Sequence, residues 1–305
     1  MVPTLVLVSV MVFAVMRLVP GDVVSLMFAD LGYAKSLAEM RARLGLDQPF
    51  FEQYVRWIGR LAHGDLGRSL WTQRPVTSLL AERLPVTLEL TLLAIGFGVA
   101  YGGVAGVLAA AWRDTPLDAG LRGTAVAFLS LPTFWLGTLA IVLPSLYLGW
   151  SPSIQIIPFA ADPLGHLAQF ALPAALLGTH LGAPVMRMTR AMMLEVFRQD
   201  YVRTAEAKGL APGRVVMIHA LRNAMIPSLT IVGVQVAQAI GGSVVMETLF
   251  QLPGMGSLLI EAVAHRDFEL FQSLVLCLAL FVMAVNLAVD LAYVAVDPRL
   301  RSAGR

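Results

Sequence analysis

Catalysis needs nucleophiles, bases or metal ligands gathered in one place, and this sequence offers few candidates. His63, His166, His180, His219 and His265 are scattered, with no matching nucleophile motif. No His/Cys cluster has metal-site spacing and no G-x-x-x-x-G-K-S/T phosphate loop occurs, which excludes ATP hydrolysis by that route. The single Cys277 lies in an apolar run, permits no intrachain disulfide and reads as a small packing residue. Two other features carry the information. Gln235, Gln238 and Gly242 recur at i, i+3 and i+7, a polar stripe that must face protein or water if it lies in lipid. Residues 195–227 form the longest polar interval of the C-terminal half and carry Arg198, Arg203, Lys208, Arg214 and Arg222 among good helix formers. They predict a short helix, a turn at Gly209 and a second helix opened by Pro212. From spacing alone, this interval reads equally as an amphipathic connector resting on a bilayer.

The elements that must position these groups are membrane helices. With 57% hydrophobic and 14% charged residues and a mean hydropathy of +0.74, the chain is too apolar for a soluble domain, which carries about 25% charged residues. It reads as an all-α membrane protein with six crossings, near residues 2–19, 86–111, 124–148, 167–185, 226–250 and 270–296. A crossing needs about 17–25 apolar residues, so the first run is at the short limit. It lacks the basic segment and small-residue cleavage site of a secretory signal and reads as an uncleaved span. Gly96, Gly98, Gly102, Gly103 and Gly106 permit close helix approach in the second run. In the third, Pro132 deprives the helix of one backbone bond, which neighbouring helices or the Ser130 and Thr133 hydroxyls must offset. The bend either lines a pathway or is a kink in a packed helix. His180 reads first as hydrogen-bonded within the bundle and second as a functional intramembrane group.

Charge sets the orientation. Arg113 and Arg122, the cations of residues 187–222, and Arg299, Arg301 and Arg305 fall on one side, whereas the short loops opposite hold only Arg266. The positive-inside rule places the 195–227 loop and both termini in the cytoplasm. The eight cations of residues 20–85 lie outside, in a segment long enough, at about 60 residues, for the rule to weaken. There Gln53, Tyr54 and Trp57 have helical spacing and interface-seeking rings, so short helices on the outer surface are expected.

The segment Arg203-Thr204-Ala205-Glu206-Ala207-Lys208-Gly209-Leu210, followed by His219-Ala220-Leu221-Arg222-Asn223-Ala224 and Pro227, resembles the cytoplasmic loop of ABC-importer permeases in the dipeptide, oligopeptide and nickel branch. That branch, like this chain, departs from the broader Glu-Ala-Ala pattern, while Glu206 stands where an Arg is common. Arg17-Leu18-Val19-Pro20-Gly21-Asp22, Leu44 to Pro49, Gly64 to Ser69, Ser130 to Gly137, Glu247 to Phe250 and Pro253 to Gly256 resemble the same branch in the same order. Related permeases carry a few basic residues and a little more helix before the first span, so either a start codon set late or a shortened N-terminus is expected here.

The resemblance implies a type I importer permease fold with a MetI-like core. Residues 1–19 are the first helix, 20–85 an external region, 86–296 the core containing the coupling loop 195–227, and 297–305 a cytoplasmic tail. Arg203 through Leu210, that is Arg203, Thr204, Ala205, Glu206, Ala207, Lys208, Gly209 and Leu210, would dock on an ATP-binding subunit. Ser130, Pro132, Thr133, Gln235, Gln238 and Ser243 would line the path, and Glu247, Pro253 and Gly254 an outer gate. Glu247 would pair locally or touch the binding protein, and Asp290 would pair with a basic residue of the inner face. The implied partners are a second homologous permease, two ATP-binding subunits, an external solute-binding protein and the lipid bilayer, without nucleic acid. The chain itself would bind no cofactor, ATP and magnesium belonging to the partners, and would not be an enzyme. An ion-coupled secondary transporter would need intramembrane carboxylates with partners, and an intramembrane hydrolase a Ser/His or metal constellation. These are the two rival readings.

Overall fold

A computed structural model of the chain describes residues 2–18, 45, 47–153 and 155–296. The motif residues Pro20 to Asp22, the tail 297–305, and the side chains of His219, Pro227 and Asp290 lie outside the described residues. The helices are α1 (Val2–Leu18), α2 (Phe50–Ala62), α3 (Val76–Ala111), α4 (Pro116–Ser130), α5 (Thr133–Leu148) and α6 (Pro163–Val196). They continue with α7 (Asp200–Ala207), α8 (Leu221–Leu249), α9 (Met255–Ala264) and α10 (Phe268–Val296). One helical turn, Pro212–Arg214, and a π-helical segment, Val215–Ala220, run straight into α8. The second helix of the loop is therefore continuous with the fifth apolar run rather than separate from it. Among the described residues the only strand-like pairing is an isolated bridge between Arg68 and Pro75.

Among the described residues, α3, Thr230–Leu249 of α8 and Phe268–Val289 of α10 are long and apolar enough to cross a membrane. The pair α4 and α5 makes a fourth if taken as one span, bent by 100°. The apolar part of α1 is the shorter Pro3–Val15. At 34 residues α6 has the length, but Gln169, Thr179, His180 and two prolines dilute its apolar windows. α3 begins ten residues earlier than the sequence suggests and carries Pro85 inside it, so Glu82 and Arg83 are helical rather than part of an external loop. Its 36 residues span about 54 Å at 1.5 Å each, well beyond a hydrocarbon core of about 30 Å.

The chain divides into two compact units, Met1–Val86 with Pro253–Ala284, and Thr87–Leu252 with Val285–Arg305. In the first, the buried Phe13 of α1 meets Phe50 and Tyr54 of α2 edge-on, at centroid distances of 5.0 and 5.3 Å, and Trp57 at 5.7 Å. The Arg17 guanidinium lies 3.6 Å above the Phe13 ring and donates to Gln53 Oε1. Trp57 is only 2% exposed and packs on the Phe13 ring. A second cluster joins Val76 and Leu79 of α3 to Leu258 and Ala262 of α9 and Leu270 and Leu274 of α10.

In the second unit, Gly98, Gly102 and Gly106 of α3 lie four residues apart and face α6, the first two against Gly178 and Gly182 and the third against Met186 and Thr189. A Cβ on Gly98 would stand 2.7 Å from the Gly178 carbonyl oxygen, and one on Gly178 2.6 Å from that of Ala94. The two backbones are in contact, the small-residue packing by which helices associate where lipid gives no hydrophobic drive. Gly96 and Gly103 face open space, so only three of the five glycines serve this contact.

The expected kink at Pro132 is a complete break. α4 ends at Leu131, and Pro132 is the N-cap of α5 with φ −61° and ψ 134°. In an unbroken helix the Phe128 carbonyl would accept from residue 132, which as proline has no N–H. The His180 Nδ1–H donates to that carbonyl at 3.0 Å instead. His180 is thus hydrogen-bonded within the bundle, as expected, and supplies the donor that Pro132 lacks.

Gly178→Val should lower the thermal midpoint of the purified full chain by an amount equal to about 1–3 kcal/mol of overpacking, while Gly103→Val leaves it unchanged. His180→Leu orphans the Phe128 carbonyl and should cost about 1–3 kcal/mol, measured the same way. Equal midpoints for Gly178→Val and Gly103→Val would contradict the backbone contact.

Candidate functional site: the coupling segment and the polar pins of α6

α7 is short, and its ends explain its shape. Lys208 closes it, Gly209 follows at φ +77°, the Gly209 N–H donates to the Glu206 carbonyl at 2.9 Å, and the Leu210 N–H reaches back to Ala205 at 3.3 Å. That pair of bonds is a Schellman ending, which needs a left-handed residue and so favours glycine. Val202 and Ala205 are buried with Val215, and Leu210, Val196 and Phe197 pack around them. Arg203, Thr204, Glu206, Ala207, Lys208 and Gly209 are exposed. Arg203 has only Asp200 nearby, at 3.7 Å between highly exposed side chains, and the Thr204 hydroxyl donates to the Asp200 carbonyl. The segment thus presents one polar face outward and fixes the other to the π-helical turn. Asn223 Nδ2 donates to the Tyr201 hydroxyl at 2.7 Å, tying α7 to the first turn of α8.

The residues expected along a path are spread out. Ser130 and Pro132 are exposed at the α4–α5 break and Thr133 is half-buried. On α8, Gln235 is buried, Gln238 exposed, and Ser243 is 1% exposed with its hydroxyl donating to the Ile240 carbonyl. Gly242 lies beneath Leu177 of α6. Glu247, expected to pair locally or meet a binding protein, is fully buried and accepts from the Thr87 hydroxyl at 2.8 Å. Pro253 is half-buried and Gly254 is the N-cap of α9, accepting through its carbonyl from the Ser257 hydroxyl.

Sequence reasoning missed three polar constructions. Arg190 of α6 grips Asp118 of α4 with two parallel bonds, 2.8 and 2.7 Å, while Arg122 approaches at 3.2 Å and the Asp114 N–H donates at 3.1 Å. Asp118 is 0% and Arg190 19% exposed, so both charges are largely desolvated. His166 of α6 donates from Nδ1 to the Ile157 carbonyl at 2.6 Å and from Nε2 to Glu89 of α3 at 2.8 Å. With both ring nitrogens donating, the charged imidazolium is favoured. Burial opposes the charge, but the Ile157 carbonyl and Glu89 carboxylate outweigh it and raise the His166 pKa above its ordinary 6.5. In the other unit, the buried Asp267 accepts from the Ser69 hydroxyl at 2.6 Å and from the backbone N–H groups of Leu70, Trp71 and Leu270. Ser69, Leu70 and Trp71 are thereby held in a fixed turn, while Gly64, Asp65 and Arg68 stay exposed. The charges at positions 118 and 190 and the Asp after α9 were visible in the sequence, but nothing in their spacing paired them.

Two family models match. The binding-protein-dependent transport system inner membrane component covers residues 102–302, and the N-terminal region of such membrane components covers 1–91. The chain belongs to this family. It is 42% identical over 300 residues to a putative peptide transport system permease protein of Brucella abortus (strain 2308), covering 98% of this chain and 96% of that one. To the di/tripeptide transport system permease protein DppB of Pseudomonas aeruginosa (strain UCBPP-PA14) it is 41% identical, covering 99% and 96%. To the glutathione transport system permease protein GsiC of Escherichia coli (strain K12) it is 39% identical, again covering 99% and 96%. Solved structures share the fold. The MetNI methionine ABC transporter in an inward-facing form matches with a TM-score of 0.59 at 18% identity, over 72% of this chain and 96% of that one. An amino acid ABC transporter crystallised with histidines matches at 0.55 and 17%, over 72% and 95%. The chain is a permease subunit of a binding-protein-dependent ABC importer and a membrane protein with several apolar helices. Permeases of this kind work beside another permease and ATP-binding subunits.

Asp118→Ala should cost about 3–5 kcal/mol, because it leaves Arg190 as a buried unpaired charge, and Asp118→Leu with Arg190→Met should recover most of it in thermal unfolding. The His166 pair adds pH dependence of definite sign. With a folded pKa above the unfolded one, its contribution is complete below pH 6.5 and is lost as pH rises through the raised value. The fall in thermal midpoint over that window should vanish in His166→Gln, and a fall of the same size in that variant would assign the effect elsewhere.

Proposed function

We propose that this permease crosses the bacterial inner membrane six times, by α1, α3, the α4–α5 pair, α6, α8 and α10, with both termini in the cytoplasm. Positive-inside counting supports that orientation. It pairs as a heterodimer with a second, homologous permease, two ATP-binding subunits and an external solute-binding protein. The cargo is a di- or oligopeptide, or a related small solute such as nickel. The names of the relatives, for peptide, di/tripeptide and glutathione transport, support the peptide reading. The chain holds no cofactor of its own, and ATP with magnesium is bound and hydrolysed by the partners.

Closure of the ATP-binding subunits pulls on α7, whose exposed face from Arg203 to Gly209 seats in them, and the movement passes into α8. The observation that carries this reading is the double attachment of α7, by the buried Val202, Ala205 and Val215 and by the Tyr201–Asn223 bond, to the segment that continues into α8. α8 then changes access along Ser130, Pro132, Thr133, Gln235, Gln238 and Ser243, while Glu247, Pro253 and Gly254 gate the outer end.

Gly209→Trp places a bulky side chain on a left-handed residue, which costs about 1–2 kcal/mol of backbone strain. In proteoliposomes holding the co-encoded subunits, the variant should assemble yet lose the stimulation of ATP hydrolysis by peptide-loaded binding protein. Wild-type uptake without any ATP-binding subunit would reject the importer mechanism in favour of ion-coupled transport.

A further inference from the structure

We propose that α2 is an interfacial helix lying in the outer leaflet, with Phe51 and Val55 among the acyl chains and Arg56 and Arg60 turned towards the phosphate layer. The inference rests on α1 being a crossing helix. α2 has three distinct faces. Tyr54 and Trp57 pack on Phe13 of α1, and Gln53 holds Arg17 at 2.5 Å. Phe51, Val55, Ile58 and Ala62 fall at i, i+4, i+7 and i+11, within about 60° of one another on a 3.6-residue helix. Phe51 is 72% and Val55 51% exposed. Arg56 and Arg60 lie about 140–180° away from Phe51 on the same helix.

Depth and continuity favour lipid as the occupant of the apolar face. α2 packs on α1 at Phe13, five residues or about 8 Å below Leu18 at 1.5 Å per residue. Interfacial helices bury their apolar side about 5–10 Å into the boundary of headgroups and chains. The exposed Val6, Leu7, Val10 and Met11 of α1 carry the same apolar exposure downward along the crossing helix. The cationic face has matching chemistry. Arg17, Arg56, Arg60 and Arg68 line one open cavity of about 700 Å³ against only two carboxylates, Asp65 and Glu269, and guanidinium pairs well with phosphate oxygens. Arg60 is bonded to Glu269 at 2.6 Å, while Arg17, Arg56 and Arg68 donate to the neutral acceptors Gln53 Oε1, Gln48 Oε1 and the Gln73 carbonyl, so the positive charge of the row exceeds the negative charge of its two carboxylates. A soluble cap helix would have no reason to combine a bare Phe51 with this arginine row.

The test uses the assembled complex in nanodiscs of phosphatidylethanolamine and phosphatidylglycerol, without binding protein. In a Cys277→Ala background, single nitroxides are placed by Phe51→Cys, Val55→Cys, Glu52→Cys and, on α1, Met11→Cys. Expected is a ratio of oxygen to nickel-chelate accessibility at 51 and 55 that matches position 11 and exceeds position 52 about ten-fold, the contrast of an apolar face in lipid. Labels at 51 and 55 open to the chelate while 11 reports lipid would overturn the interfacial helix and leave the crossing of α1 intact. Labels closed to both reagents would overturn it in favour of a covering subunit. A chelate-accessible position 11 would overturn the crossing and the inference together. An independent readout needs no label: native mass spectrometry of the Arg56→Gln complex should show about three-fold fewer retained phospholipids, in keeping with a lost phosphate contact. Unchanged retention would count against the phosphate assignment.

Discussion

The rest of the second unit depends on the closeness of α3 and α6. Gly98 and Gly102 bring one backbone against Gly178 and Gly182 of the other, with Gly106 against Met186 and Thr189, and no larger residue leaves room for that. The approach sets the distances for polar pins that α6 makes along its length. His166 reaches Glu89 on α3 near one end, His180 serves the Phe128 carbonyl further on, and Arg190 grips Asp118 towards the other. By helix rise these pins lie about 21 and 15 Å apart. His180 lies where lipid would punish an unpaired group and the other two pins bury charge near the ends of the span, so each fixes a register as well as a contact. The Thr189 hydroxyl adds a weak contact, 3.4 Å, to Ser228 of α8.

The coupling segment follows a different logic, because it must hold its shape while meeting a moving partner. Its buried side is small and aliphatic, Val202, Ala205 and Val215, and its closure relies on backbone bonds around Gly209 rather than on side chains. The exposed residues from Arg203 to Lys208 therefore contribute little to the local fold and are free to be selected for recognition. The π-helical Val215–Ala220 lies between this segment and α8. π-helical turns are rare and recur at functional sites, and this one lies where α7 is tied on.

Much of this was legible in the sequence, and the failures have physical causes. The turn at Gly209 was readable because a left-handed residue after a helix leaves few choices of residue. The glycine-mediated packing was readable as a possibility, but which of five glycines face a neighbour depends on helix rotation, and Gly96 and Gly103 turned out to look elsewhere. Pro132 announced a disturbance without its size, since proline at a kink and proline at an N-cap look alike until the preceding residue is seen to be extended. The start of α3 was set ten residues late because Pro85 and the charges beside it imitate a boundary, although a long helix tolerates one missing bond. The Asp118–Arg190 pair was not legible, because its partners are 72 residues apart and only the packing of α4 on α6 brings them together.

The least apolar long helix is also the one whose three polar pins all reach back to partners made first. Glu89, Phe128 and Asp118 precede Pro163 in the chain, so during synthesis the acceptors of these three pins have left the ribosome before α6 itself. A segment carrying His180 and Gln169 partitions poorly into lipid alone. Delivered beside α3 and α4, it meets a waiting carboxylate or carbonyl at His166, His180 and Arg190, so the order of residues along the gene doubles as an order of assembly.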